Sequence, residues 1–237
     1  MKRLLSTIRK DFILLVRYKL VAVSVVVVAG FGAFLSILPM VVMPAQDILV
    51  PLFILTNLMI TTFYFMCGMV LLEKSEGLLS AIVVTPLRGG EYLASKAISL
   101  TLLGTAESLA LVIFIFGVNA NWLLLLLGAL LSGIINALLG FIAIVKYDSI
   151  SEFLLPSVMM VTFLLVPMVP HLGLLESWIF YLHPLEPGMV LMRAAYRETS
   201  PTQIVPALIG IATWITVCLI IARRRFGYFV VRVAGSL

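Results

Sequence analysis

The sequence is poor in charge. Of its 237 residues, 11% are charged and 62% are hydrophobic, and the mean hydropathy is +1.20. Soluble globular domains contain about 45–50% apolar and about 25% charged residues. The scarcity of charge therefore excludes an ordinary soluble domain, and the composition predicts an integral membrane protein.

Cysteine, nucleotide-binding loops and catalytic constellations are also scarce or lacking. The two cysteines, Cys67 and Cys218, lie inside apolar runs, which excludes a disulfide scaffold as the basis of the fold. The sequence has no Gly-x-x-x-x-Gly-Lys-Ser/Thr loop to cradle nucleotide phosphates, so we do not expect the chain to be an enzyme or to hydrolyse ATP alone. His171 and His183 are not spaced as a helical i, i+4 pair, and no metal site is expected.

Apolar segments of membrane-spanning length are separated by proline, glycine, asparagine or clustered charge. A transmembrane helix needs about 20 mostly apolar residues. The sequence predicts an all-α integral membrane protein, residues 1–237 forming a single transmembrane domain, with six transmembrane helices at about 20–43, 48–72, 97–118, 122–145, 153–169 and 204–222.

Positive charge is concentrated at the two termini and in every second connection between the predicted spans. Lysine and arginine concentrate before the first predicted span, between the second and third, between the fourth and fifth, and in the C-terminal tail. The other side has only Arg193 and Arg197. Because lysine and arginine near span ends favour the cytoplasm, both termini are predicted to be cytoplasmic. The net charge of +5 thus reflects the lysines and arginines of the segments predicted to be cytoplasmic, and no nucleic-acid partner is expected.

Residues 1–19 have the period of an amphipathic helix. Their apolar side chains, Leu4 and Leu15 among them, fall on one arc and their cations on another, with Asp11 the only charge next to the apolar arc. The pattern predicts an interfacial helix along the cytoplasmic leaflet, before the chain turns at Tyr18-Lys19. The alternative is a basic flank that only fixes the topology.

The connection between the second and third predicted spans is not a simple loop. Residues 78–84 are apolar but too short to cross a bilayer, and Pro86 and Gly89-Gly90 redirect the chain after them. A short apolar helix with an i, i+3, i+4 face fits the groove of a partner protein. A connector that rests on lipid is the alternative.

The connection between the fifth and sixth predicted spans, residues 171–203, is long and apolar. It contains two apolar clusters, and neither is long enough to span. They predict two short re-entrant helices that dip into the outer leaflet or cap the bundle. Pro187 is well placed for the first turn of the second helix.

Glu107 lies near the middle of the third predicted span. A charge there costs roughly 3 kcal/mol, so the side chain is expected to face the bundle interior. Asn136, near the middle of the fourth span, is the best available partner. Two interpretations remain open: Glu107 lines a transport path, or it joins helices through hydrogen bonds.

Residues 73–96 contain Glu-x-x-Glu-Gly-x-Leu, Thr-Pro-Leu and Glu-Tyr-Leu-x-x-Lys elements, and further along Tyr181-Leu182-His183-Pro184-Leu185 is followed by Arg193. Together with the amphipathic N-terminal helix, these motifs resemble the six-span permease subunits of type-2 ATP-binding-cassette (ABC) exporters, a family that includes multidrug and fluoroquinolone exporters. The second motif resembles the family's outer Asn-Pro-Leu motif and its downstream arginine. His183 stands where the family commonly has asparagine.

The resemblance implies a permease of a prokaryotic plasma membrane that exports drug-like, antibiotic or lipid-like substrates by alternating access. Its implied partners are a second permease, a copy of itself, and two copies of an ATPase subunit that bind the ATP and Mg; this chain binds no cofactor. The alternatives are a stand-alone secondary transporter or channel that uses Glu107 for ion coupling, and a non-transporting scaffold.

The resemblance and the intramembrane polar residues together define the candidate site residues. The coupling region, residues 73–91, is expected to contact the ATPase, the middle of the membrane to hold a substrate path, and residues 171–203 to carry the outer motif. The residues are Glu73, Glu76, Gly77, Leu78, Leu79, Ile82, Thr85 and Pro86 for coupling, Glu107 and Asn136 for the path, and His183, Pro184 and Arg193 for the outer motif.

Overall fold

A computed structural model describes residues 2–37, 45–77, 89–117, 119–175, 177–197 and 199–234. Within these ranges the chain is helical and has no strand, so the predicted all-α class is confirmed. The elements are α1 (Lys2–Arg17), α2 (Leu20–Ser36), α3 (Gln46–Leu58), a π-helical segment (Met59–Tyr64), α4 (Phe65–Ser75), α5 (Gly89–Phe116), α6 (Trp122–Ile144), α7 (Ile150–Leu164), α8 (Met168–His171), a 3₁₀ segment (Trp178–Leu182), α9 (Glu186–Ala194) and α10 (Pro201–Ala234).

Four continuous helical stretches in the described residues are long and apolar enough to cross a membrane. They are Gln46–Ser75, Gly89–Phe116, Trp122–Ile144 and Pro201–Gly227. The helices α1 and α2 meet the same test only as a pair, bent by 67°. The 15 residues of α7 span about 22 Å at 1.5 Å per residue, less than the hydrocarbon thickness. The predicted count of six spans is therefore not confirmed.

The N-terminal helix and the turn after it form as the sequence predicts. Lys19 adopts a left-handed backbone conformation with φ of 58°, and this turn separates α1 from α2. Leu15 is fully buried and Arg9 is exposed, so α1 is amphipathic. The surprise is Asp11, which is buried together with the apolar side of the helix.

The centre of the bundle is built from α3, the π-helical segment, α4, α5 and α6, which pack on one another. Small residues allow close approach, as is common between membrane helices. A Cβ on Gly140 of α6 would lie 2.6 Å from the carbonyl oxygen of Phe63 in the π-helical segment. The absence of a side chain at Gly140 therefore allows α6 to pack directly against the backbone of the π-helical segment.

The segment between α7 and α10 contains the two short helices that the sequence predicts. The first is only the 3₁₀ segment, and Trp178 and Tyr181 on it are each 70% exposed. The second, α9, has Pro187 in its first turn and packs against α3, α6 and α10. Gly188 contacts α6 so closely that a Cβ there would overlap the Ser132 hydroxyl. Thus α9 packs between other helices of the bundle, whereas the 3₁₀ segment lies on the surface of the bundle.

Candidate functional site

A buried charge cluster joins three helices where α4 ends and α5 begins. The Lys96 Nζ on α5 lies 2.5 Å from the Glu73 Oε1 on α4 and 3.1 Å from the Asp11 Oδ1 on α1. The three side chains are between 1% and 5% exposed. An ion pair at such depth holds its helices in one arrangement, because separating them would leave a buried charge without a partner.

Two hydroxyl groups complete the cluster. Tyr92 donates a hydrogen bond of 2.6 Å to the Glu73 Oε2, and Ser95 donates one of 2.5 Å to the Asp11 Oδ2. Each carboxylate therefore has one oxygen on the Lys96 ammonium and the other on a hydroxyl group. With both carboxylates ionised and Lys96 protonated, the cluster carries one net negative charge, which these hydroxyl donors help to stabilise.

The coupling region begins directly at this cluster. Glu73 belongs to the cluster, and Glu76 accepts a hydrogen bond of 2.9 Å from the Tyr18 hydroxyl at the turn between α1 and α2. Gly77 has a positive φ of 68°, the conformation that commonly follows a helix C-terminus. The other predicted coupling residues lie outside the described residues; they are Leu78, Leu79, Ile82, Thr85 and Pro86.

Glu107 is half-buried and contacts α2 and the π-helical segment, so its partners differ from the one expected. The Glu107 carboxylate accepts a hydrogen bond of 2.5 Å from Ser24 on α2 and one of 3.4 Å from Thr61 in the π-helical segment. Asn136 is fully buried on α6 and is not bonded to Glu107. The expected pairing is therefore wrong.

The geometry of α5 explains the missed pairing. Thr101 is the residue of α5 that packs on Gly133 of α6. At about 100° per residue, Glu107 lies about 120° around the helix from Thr101, on a different side. Asn57 on α3 also joins α5, because its Nδ2 donates a bond of 2.8 Å to the Ser108 hydroxyl. The role of Glu107 and Asn136 in a substrate path stays a prediction.

The predicted outer motif folds around His183. Its Nε2 lies 3.1 Å from the carbonyl oxygen of Phe163, and its Nδ1 accepts a bond of 3.2 Å from the backbone N–H of Leu185. Burial lowers the pKa of His183 to about 4. A neutral imidazole with the proton on Nε2 satisfies both contacts, so His183 serves as a polar junction between the end of α7 and the start of α9. Pro184 is buried beside it.

Arg193 belongs to a second group of charges, at the end of the bundle that contains α9. Its Nε lies 3.9 Å from the Asp47 Oδ2 at the start of α3, and the Arg197 Nε lies 2.5 Å from the same oxygen. Nearby, the His171 Nε2 lies 3.4 Å from the Glu186 Oε1. Among the described residues, no group of three or more His, Cys, Asp or Glu side chains is placed to hold a metal ion.

Sequence reasoning missed the cluster of Asp11 and Lys96. In the sequence, Lys96 belongs to the Glu-Tyr-Leu-x-x-Lys element and to the charges that orient the chain, and Asp11 lies beside an apolar arc, but nothing in the sequence pairs the two residues. The position of Asp11 was the available signal, because an acidic residue next to the buried side of a helix needs a partner. Its partner lies more than eighty positions further along the chain, and no local pattern identifies it.

Comparison with known proteins shows the family of the chain. The chain is 29% identical, over 243 aligned positions and the full length of both chains, to the fluoroquinolones export permease proteins of two Mycobacterium tuberculosis strains, CDC 1551 / Oshkosh and H37Rv. The family model for fluoroquinolones export permease proteins matches residues 2–234. The chain therefore belongs to the fluoroquinolones export permease protein family and is a membrane permease of an exporter.

Proposed function

We propose that this permease is the transmembrane subunit of an ATP-driven ABC exporter, assembled from two permease copies and two copies of a separate ATPase subunit. Both termini and residues 73–91 lie on the cytoplasmic side, where the ATPase binds. Export follows alternating access between the two membrane faces. The mycobacterial relatives are named fluoroquinolones export permease proteins, which supports fluoroquinolones as a substrate class.

The buried cluster of Asp11, Glu73 and Lys96 carries this proposal. Its ion pairs connect α4, which precedes residues 78–88, to α5, which follows them, and connect α5 to α1. A displacement of that segment by an ATPase would therefore move α1, α4 and α5 together. The hydrogen bond between Tyr18 and Glu76 adds a second tie at the same place.

The test is whether an ABC ATPase associates with the permease through residues 78–82. The permease is purified in nanodiscs with a candidate ATPase, and association and ATP turnover are measured for the wild type and for a variant with Leu78→Asp, Leu79→Asp and Ile82→Asp. The matched control introduces the same three changes at exposed leucines of the opposite end of the bundle. These control positions are Leu172, Leu174 and Leu175.

We expect the coupling-region variant to insert and fold but to lose ATPase association and permease-dependent ATP turnover. The control variant keeps both. If no ATPase binds the wild type, or if the coupling-region variant behaves like the wild type, the proposal fails. Ion-driven transport that uses Glu107 would then be the better explanation.

A further inference from the structure

A large polar cavity opens beside α9, far from the buried charge cluster. Its volume is about 990 Å³, at the upper end of the range of about 300–1,000 Å³ that is usual for small-molecule sites. It lies between the α8–3₁₀ segment, α9 and the first part of α10. Its lining includes His171, Trp178, Tyr181, Glu186, Arg193 and Arg197.

One wall of the cavity is acidic. Glu186 is 5% exposed, and the ring of His171 lies beside it, with its Nε2 3.4 Å from the Glu186 Oε1. The Glu186 Oε2 has no hydrogen-bond partner in the described part of the chain. A buried carboxylate oxygen without a donor is costly. A cation with N–H donors in the cavity would satisfy it.

Another part of the lining is basic, and its arginines lie on or just after α9, the helix that also carries Glu186. Arg193 and Arg197 share the single carboxylate of Asp47, so within the described residues these three groups carry one excess positive charge. The Nε of Arg193 makes no hydrogen bond in the described structure, and the Arg197 side chain is 56% exposed. Guanidinium groups with free donors bind carboxylates and phosphates well, because their planar fork matches two oxygens.

The surroundings of the cavity fit an amphiphilic ligand. Trp178 and Tyr181 line it and are 70% exposed, and such aromatic residues favour the boundary between lipid and water. The α10 side adds Pro206, Ala207 and Gly210, which offer an apolar surface. Most of the apolar part of α10 is not covered by other described residues, with only 17% of it buried.

We propose that this cavity binds a zwitterionic amphiphile, with its ammonium on Glu186 and its carboxylate or phosphate on Arg193 and Arg197. Two sources share this chemistry: a fluoroquinolone that bears a basic amine and a carboxylate, and a phosphatidylethanolamine headgroup. As a drug site, the cavity rests on the proposed export function. Binding itself requires no ATPase, and the test therefore uses the permease alone.

The probe is ciprofloxacin, which carries a piperazine ammonium and a carboxylate. Its binding to the permease in dodecyl maltoside micelles is measured by equilibrium dialysis, next to N-acetylated ciprofloxacin, which has lost the cation. In a second arm, dihexanoyl phosphatidylethanolamine and dihexanoyl phosphatidylglycerol are tested for binding and as competitors. The lipid arm separates a headgroup site from a drug site.

The variants are Glu186→Gln and Arg197→Gln, and the control is Glu152→Gln on α7 at the other end of the bundle. We expect Glu186→Gln to raise the Kd of ciprofloxacin at least tenfold and that of the acetylated form less than twofold. Arg197→Gln raises both Kd values, and Glu152→Gln changes neither. Unfolding midpoints in the same detergent check that each variant is folded.

Saturable binding of phosphatidylethanolamine without binding of ciprofloxacin, with the same dependence on Glu186, supports the site with a lipid occupant. Binding of neither probe, or binding that Glu186→Gln and Arg197→Gln leave unchanged, overturns the proposal. Failure of the export proposal looks different. In that case the ATPase does not associate, while these Kd values keep their dependence on Glu186.

Discussion

Replacing Lys96 with methionine tests whether the buried charge cluster holds α1, α4 and α5 together. Methionine keeps most of the volume of the lysine side chain and removes its charge. Two carboxylates, Glu73 and Asp11, then remain at about 5% exposure without a cation, although Tyr92 and Ser95 still donate one hydrogen bond to each.

The magnitude follows from this burial. Removing one partner of a buried ion pair costs about 3–5 kcal/mol, because an uncompensated charge is left in the interior. The pair of Lys74 and Asp148 provides the matched comparison. Its side chains are 22% and 49% exposed, and an exposed pair contributes about 0–1 kcal/mol. Lys96→Met should therefore cost several times as much as Lys74→Met.

The buried cysteines provide the assay. Cys67 and Cys218 are each 2% exposed, so a thiol-reactive fluorophore reports unfolding of the permease during a thermal ramp in detergent. The midpoint should fall far more for Lys96→Met than for Lys74→Met. The triple change Asp11→Asn, Glu73→Gln and Lys96→Met should recover most of the loss, because it leaves no buried charge in the cluster.

Equal midpoints for Lys96→Met and Lys74→Met would refute the reasoning. So would a triple variant as unstable as Lys96→Met, because the cost would then come from lost packing rather than from unpaired charge. A further readout is ATP turnover with the partner ATPase. The triple variant should be stable yet show reduced permease-dependent turnover, if the ionic tie transmits the movement.

Three further expectations follow from the packing and the polar contacts. Gly140→Ala should destabilise the fold by about 1–3 kcal/mol, because its Cβ would be forced against the backbone of Phe63, whereas Gly68→Ala, which has open space, should be neutral or stabilising in the same thermal assay. The pKa of His183 in the folded protein, about 4, lies below its value of about 6.5 in the unfolded chain. The neutral imidazole therefore stabilises the fold fully above about pH 6.5, and about 3 kcal/mol of the free energy of unfolding is lost as the pH falls toward 4. When the thermal midpoint is followed against pH, this part of its pH dependence should be absent from His183→Gln. Glu107→Gln keeps acceptor capacity for Ser24 and should fold normally but slow drug export from loaded vesicles, and a normal rate for every tested substrate would exclude a role in the substrate path.

Much of the fold could be predicted because its signals are local. The turn at Tyr18-Lys19 is marked by the change from an amphipathic to an apolar pattern, and Pro187 marks the first turn of α9. The span count was less predictable. Hydropathy continues past Leu164, but α7 ends there in a turn, and composition alone does not reveal where an apolar helix stops.

By itself the sequence determined that this protein lies in a membrane and that it is helical. These properties follow from composition and periodicity. Only the tertiary structure decided that Lys96 joins Glu73 and Asp11, and that Glu107 bonds to Ser24 instead of Asn136. The physical reason is that the helical period shows which residues share a face of a helix. Which other helix that face contacts depends on how all the helices pack together.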